Sequence, residues 1–343
     1  MDVNRIVVET GGYRAVTPWE DETWREEALD WITAALARRR LVADGQVWAR
    51  LRPWSVVLRV PVLRTDGVGA VWFKANPPRS AFEPAVMAAL SRWVPERVLE
   101  PIAVDTARGW SLLPDGGSLF AEVLTNNPED VNAWAEMLRQ YALLQRELEP
   151  HVDQLATLGV PDFRPRRLAE RFLALVESTS VLRGPERAAL RALAPRFEGW
   201  CQELAQSPVS CSLDQSDLHP ASVLTGGRRP LDDGRLTGGG AYRFFDWGDA
   251  SVTHPFMSLL VLGRVLGERF DQDQSVRARV LDAYLDAWVQ PGTSLAELRS
   301  WVDLACRVAV VCRADTWDRV FPTMLLTTAD RDAHIARWLR ELL

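Results

Sequence analysis

Of the 40 basic side chains in this chain, Lys74 alone is lysine; all the others are arginine. A compact ammonium is not replaceable by a planar guanidinium where one point charge must sit between phosphate oxygens. The exception therefore marks a position where the shape of the cation matters. Lys74 closes the run Val71-Trp72-Phe73, and Glu83 follows nine residues later at the start of a helical pattern. Two further segments carry carboxylates. DQSDLHPASVL (214–224) places Asp217 five residues before Ser222, and FFDWGDA (244–250) is an apolar run that delivers Asp246, an aromatic residue and a glycine. Phosphoryl transfer needs a cation on the phosphates, carboxylates on a metal and a base beside the attacking hydroxyl. The three segments supply those parts in the order of a kinase sequence, with Asp217 and Asp246 29 residues apart.

Plainer readings stand beside these. Glu83 could answer Ser80 in a capping box, and the 214–224 segment could be a polar turn before a strand. His219 lies so close to Asp217 that tying the loop by hydrogen bonds is the better reading than catalysis. Asp249 is open to two readings, as a ligand for a second metal or the substrate, or as the cap of the following turn. The 15 tryptophans read as core and interface packing rather than a ligand cage.

The elements that must position these residues can be read from periodicity. Trp24, Ala28, Trp31, Ile32, Ala35 and Leu36 share one helical face, which predicts a helix over 24–39. Strand patterns run over 54–62 and 70–74, joined by the turn signal Thr65-Asp66-Gly67, and again over 98–104 and 109–113. These predict an antiparallel sheet of four or five strands with a helix opening at Ser80. Beyond residue 114 the pattern becomes helical. Asn127-Pro128-Glu129-Asp130 reads as a helix start with Asn127 as cap and the helix running to about Glu149. Two helices follow across 166–206, interrupted near Gly184-Pro185; residues 226–240 read as a polar hairpin, and four helices fill 255–343. The fold class expected is α+β and bilobal. An N-terminal nucleotide-binding lobe covers 1–114, with its helix at about 20–40, and a larger helical lobe covers 115–343.

With these segments in view, the chain resembles the aminoglycoside phosphotransferase and choline kinase superfamily, whose fold is protein-kinase-like. That family's pattern H-G-D-x-H-x-x-N, followed by I-D-W-x-D-A, is matched by DQSDLHPASVL and FFDWGDASVTHP. RPWSVVLRVP (52–61), VWFKANPP (71–78) and RGWSLLPDGG (108–117) look like its nucleotide loop, lysine strand and hinge. The resemblance covers roughly residues 45 to 265. It implies Asp217 as catalytic base, Asp246 as the main Mg²⁺ ligand with Ser222 and Asp249 as further candidates, Lys74 and Glu83 as the phosphate pair, and Leu112, Leu113 and Pro114 as the adenine-binding hinge. Three departures stand out. Ser222 replaces the usual Asn, the nucleotide loop has no glycine so that the Ser55 hydroxyl would substitute, and His254 stands where many relatives carry Asp.

The expected function is that of an ATP- or GTP-dependent, Mg²⁺-dependent kinase acting on a hydroxyl of an amino sugar, an aminoglycoside or another small metabolite. The alternative is a degenerate nucleotide-binding protein of the same fold that transfers no phosphate. A protein kinase is disfavoured, because only eight residues separate Asp246 from Pro255. The net charge of −6 and pI near 5.4 argue against nucleic acid as a partner. With no apolar run near the length of a membrane span and no secretion-signal pattern, a soluble cytoplasmic protein is expected. The four cysteines lack metal or redox spacing and read as reduced thiols.

Overall fold

A computed structural model of the chain describes residues 6–13, 17–64, 67–125, 129–226, 241–270, 273–320 and 328–343. The small half contains β1 (Ile6–Glu9), α1 (Glu22–Arg38), β2 (Val42–Ala43), β3 (Val47–Arg52), β4 (Ser55–Arg64), β5 (Gly67–Ala75), α2 (Glu83–Trp93), β6 (Ala103–Asp105) and β7 (Trp110–Pro114). Its sheet runs β1-β3-β4-β5-β7-β6, with β2 on β4. All pairings are antiparallel except β1 with β3. The sheet is thus larger than the strand patterns predict. The missing strands are short or carry arginines, as Arg50 and Arg52 in β3, so their alternation is masked.

Asp21 opens α1 by accepting from the N–H groups of Thr23 and Trp24, and Ala28, Leu29, Ile32, Ala35 and Leu36 are its buried stripe. That stripe packs on Val47, Ala49, Leu58, Phe73 and Leu112 in one apolar cluster. Because side chains alternate along a strand, burial of Phe73 in this cluster turns Lys74 to the other face of the sheet.

The remainder is mostly helical: α3 (Phe120–Val123), α4 (Val131–Leu148), α5 (Val152–Thr157), α6 (Pro165–Ser178) and α7 (Gly184–Leu204), then β8 (Ser212–Asp214), β9 (Val223–Leu224), β10 (Arg243–Phe244) and β11 (Ser251–Thr253), then α8 (Leu259–Arg269), α9 (Gln274–Asp286), α10 (Leu295–Val320) and α11 (Thr328–Leu339). β8 pairs with β11, and β9 with β10. These two short ladders hold the segments around Asp217 and Asp246 side by side. A second apolar cluster unites α4, α6, α7 and α10 and also takes in Phe82 and, from α2, Val86, Met87 and Leu90. The four cysteines are free thiols. Among the described residues, no helix is long and apolar enough to cross a membrane.

Two sequence expectations about caps need correction. Asp130, not Asn127, caps α4, accepting from the N–H groups of Asn132 and Ala133; Asn127 and Pro128 lie outside the described residues. No side chain caps α2, which begins at Glu83 after a short turn over Pro78–Ser80. The Glu83 carboxylate has other partners, described below. The expected turn at Thr65-Asp66 and most of the 226–240 hairpin also fall outside the described residues.

Candidate active site

The site forms where the inward face of β5 meets the two short ladders. Lys74 Nζ lies 2.6 Å from Glu83 Oε2 and also bonds Asp246. The second Glu83 oxygen accepts from the Trp247 N–H at 2.8 Å. One lysine thus joins β5, α2 and the segment after β10, bringing together three residues that the sequence reading singles out. Gly248 leaves room for them: a Cβ there would lie 3.3 Å from Glu83 Oε2, 3.4 Å from Asn76 Oδ1 and 3.7 Å from Lys74 Nζ. Burial alone would lower the Lys74 pKa, but Asp246 and Glu83 outweigh it and hold the ammonium above the usual lysine value. Burial raises the Glu83 pKa more than Lys74 lowers it, so its carboxyl sits above its ordinary value. Asp246, half exposed at the cleft, goes the other way: its partial removal from water pushes it up, but Lys74, with His219 and Arg50, holds it below the normal aspartate value.

Asp246 has φ 65° and ψ 62°, a left-handed conformation that Asp tolerates better than most residues. It is locked from behind. The Gln215 side-chain amide donates to the carbonyls of Phe245 (2.7 Å) and Asp246 (3.3 Å). Ser216, which occupies the place of the glycine in the resembled pattern, is left-handed as well, with φ 65°. Its N–H donates to buried Asp214 at 2.8 Å, and Asp214 also accepts from Ser258 Oγ at 2.6 Å. Burial raises the Asp214 pKa, against the pull of those hydrogen bonds.

Asp217 lies on the loop between β8 and β9 but has no contact with Lys74. Its partner is Arg313 of α10. Arg313 Nη2 is 2.8 Å from Asp217 Oδ1, and Nη1 is 3.0 Å from Asp249 Oδ2. Burial pushes the Asp249 carboxyl above its ordinary value; Arg313 opposes this, while the negative charge of Asp217 adds to it. His219 Nε2 is 4.0 Å from Asp217, and its Nδ1 accepts from the Ala221 N–H at 3.1 Å, so it ties the loop as expected. Ser222 is buried, with its hydroxyl donating to the His219 carbonyl (2.8 Å) and accepting from the His219 N–H (3.2 Å). Its proton and one lone pair are therefore taken within the loop. His254 caps the turn at Pro255, accepting from the Phe256 N–H, and burial pushes its pKa down to about 3.

The remaining candidates lie on β4 and β7. Ser55 is buried at the start of β4, opposite Arg52, so the loop resembling a nucleotide loop is a two-residue turn, Pro53-Trp54. The Trp54 ring lies 6.4 Å from Trp317 of α10, and Arg79 Nη1 lies 2.9 Å from Asp318 Oδ2 on the same helix. Both contacts cross from the small half to the large one. In β7, Leu112 joins the cluster of the small half and Leu113 that of the large half, while Pro114 ends the strand.

The sequence reading missed Gln215 and Arg313. Gln215 could have been found, since it stands at the first His of the resembled pattern. Arg313 carried no signal, because it is one arginine among many in a helix far along the chain.

Comparison with protein-family models finds no match, and neither does comparison with curated protein sequences. Solved structures do match. An ethanolamine kinase from Plasmodium vivax superposes with a TM-score of 0.59 at 10% identity, covering 94% of this chain and 91% of that one. The GDP and kanamycin complex of an aminoglycoside phosphotransferase gives 0.51 at 15% identity, covering 91% and 98%. The GDP complex of a wild-type aminoglycoside 2′-phosphotransferase gives 0.50 at 16% identity, covering 92% and 97%. At these identities the likeness concerns the fold. The chain has the bilobal α+β fold seen in this ethanolamine kinase and in these aminoglycoside phosphotransferases.

Proposed function

We propose that this protein is a small-molecule kinase that transfers the γ-phosphate of ATP or GTP to a hydroxyl of an amino sugar, an aminoglycoside or another small metabolite. The observation that carries this reading is the Lys74 bridge to Glu83 and Asp246 across the two halves, with Asp217 on the neighbouring loop. Supporting it, structures sharing this fold include an ethanolamine kinase and GDP-bound aminoglycoside phosphotransferases.

Lys74 is the cation for the α- and β-phosphates, held at the cleft by Glu83. The nucleotide base lies along Leu112, Leu113 and Pro114, and the Ser55 hydroxyl is placed at the turn over the phosphates. Asp217 accepts the proton of the acceptor hydroxyl as its oxygen bonds to the γ-phosphorus; the bond from that phosphorus to the β-phosphate bridging oxygen breaks, and the nucleoside diphosphate leaves.

The donor chemistry fits Mg²⁺. Asp246 offers a hard carboxylate oxygen on a side chain that is 50% exposed. Among the described residues no three His, Cys, Asp or Glu side chains form a metal-binding group. That suits an ion that binds one or two carboxylates, phosphate oxygens and waters. Asp246 would hold it, with Asp249 next in reach of the nucleotide, and when bound it would neutralise charge on the β- and γ-phosphates. Ser222 fits less well, since its hydroxyl is already engaged.

That engagement favours a second reading, a nucleotide-binding protein of this fold without transfer. The two separate in one experiment: purified protein is screened with ATP and with GTP against hydroxylated metabolites and antibiotics, following γ-phosphate on the acceptor. Acceptor-dependent transfer supports the kinase. Nucleotide binding without transfer to any acceptor supports the degenerate protein.

A further inference from the structure

We propose that the Arg313 guanidinium takes the place of a second divalent cation, so that the site holds a single metal ion per nucleotide. The inference rests on the phosphotransfer reading above. It begins from two facts that concern different parts of the chain. The residue that would supply a second-ion ligand, Ser222, is buried, with its hydroxyl closed on the His219 backbone. From α10, Arg313 contacts two carboxylates of the site, Asp217 at 2.8 Å and Asp249 at 3.0 Å.

Arg313 is built in rather than resting on the surface. It is 9% exposed, and its Nε has no hydrogen-bond partner among the described residues, so the carboxylates are its chief compensation. Its guanidinium lies 5.6 Å from the ring centre of Trp317 one turn on. α10 is itself pinned on both sides. Arg319 donates to the Asp249 carbonyl at 3.1 Å, and Arg171 of α6 pairs with Asp315 and with Asp318. Such a helix cannot easily withdraw its arginine.

The electrostatics then disfavour a second ion. A dication on Asp217 and Asp249 would have to displace the guanidinium or sit beside it. Displacement leaves the buried guanidinium without its partners, and coexistence places like charges side by side. A planar guanidinium, in contrast, meets two carboxylates with two parallel donors and needs no water shell. Arg313 is thereby a positioning residue. It fixes Asp217 toward the acceptor side and supplies positive charge between Asp217 and Asp249.

The test counts ions directly, by electron paramagnetic resonance of Mn²⁺ titrated into the full chain with non-hydrolysable ATP and GTP analogues. The wild type is expected to bind one nucleotide-dependent Mn²⁺. Arg313→Ala combined with Ser222→Asn is expected to bind two, whereas Arg313→Lys keeps one and recovers more turnover than Arg313→Ala. Two ions in the wild type overturn the proposal while leaving phosphotransfer intact. No nucleotide-dependent Mn²⁺ in the wild type removes the phosphotransfer reading, and the proposal with it. If the double variant melts more than a few degrees lower, Ser222→Asn alone serves: a second ion with Arg313 still present shows that the guanidinium does not exclude it.

Discussion

Two corners of the cleft share one plan, a single cation between two carboxylates, and differ in the cation and in what holds it. At the first, Lys74 from the sheet meets Glu83 of α2 and Asp246 of the large half. At the second, Arg313, Asp217 and Asp249 all belong to the large half. The first corner therefore changes geometry whenever the halves shift, and the second does not. The cations suit those duties. An ammonium is a point charge on a flexible stem, able to pass from Asp246 to a phosphate oxygen. A guanidinium gripping two carboxylates keeps its geometry fixed. On the proposed function, the first corner receives the moving part of the reaction and the second supplies the fixed frame.

The sharpest way to break this comparison is Asp217→Asn. It should lower phosphate transfer by about 10² to 10⁴, the usual contribution of a general base, while nucleotide affinity measured by calorimetry stays the same. Parallel loss of both would merge the corners into one structural unit. Lys74→Arg keeps the charge and changes the shape. Transfer should fall by about 10², as for loss of one well-placed electrostatic donor, and a variant with normal turnover would make the lone lysine incidental.

Gly248→Ala touches the first corner alone. The new methyl would come within 3.3 Å of Glu83 Oε2, so the pair must shift by a few tenths of an ångström. A fall of about three- to tenfold in kcat/KM is expected, since a 1 Å error costs about 10². An unchanged kcat/KM would show that Glu83 and Lys74 have slack around Gly248.

A last effect concerns the stability of the scaffold rather than phosphate transfer. His254 is buried and neutral, with its pKa pushed down to about 3 by burial. Below the ordinary histidine value of about 6.5, the unfolded chain binds a proton that the folded chain refuses. Stability should therefore fall by about 1.4 kcal/mol per pH unit as pH drops from about 6.5 towards 3. Denaturant unfolding of wild type and His254→Asn across this range should show the steeper decline in the wild type. Equal slopes would mean that His254 is protonated in the fold.

Much of the first corner was legible in the chain. Lys74 is the lone lysine at the end of an apolar strand, and the FDWGD segment combines an apolar run with a metal-type carboxylate and a glycine. Helix α1 was legible for the same kind of reason, because its buried stripe is a local 3.6-residue pattern. The partners of the carboxylates were less legible. Glu83 could also be read as part of a capping box, and only the approach of the Trp247 N–H and Lys74 shows where its oxygens go.

By itself, the sequence determined the types and order of the reacting groups and the local elements that carry them, since charge, shape and periodicity are properties of neighbouring residues. Tertiary structure alone decided that Ser222 turns its hydroxyl onto its own loop, that Gln215 braces the left-handed Asp246, and that α10 brings Arg313 to Asp217 across 96 residues. An arginine in an amphipathic helix has no local mark that distinguishes a buried bridge from a solvated face. What separates the two is which carboxylates the rest of the fold leaves beside it.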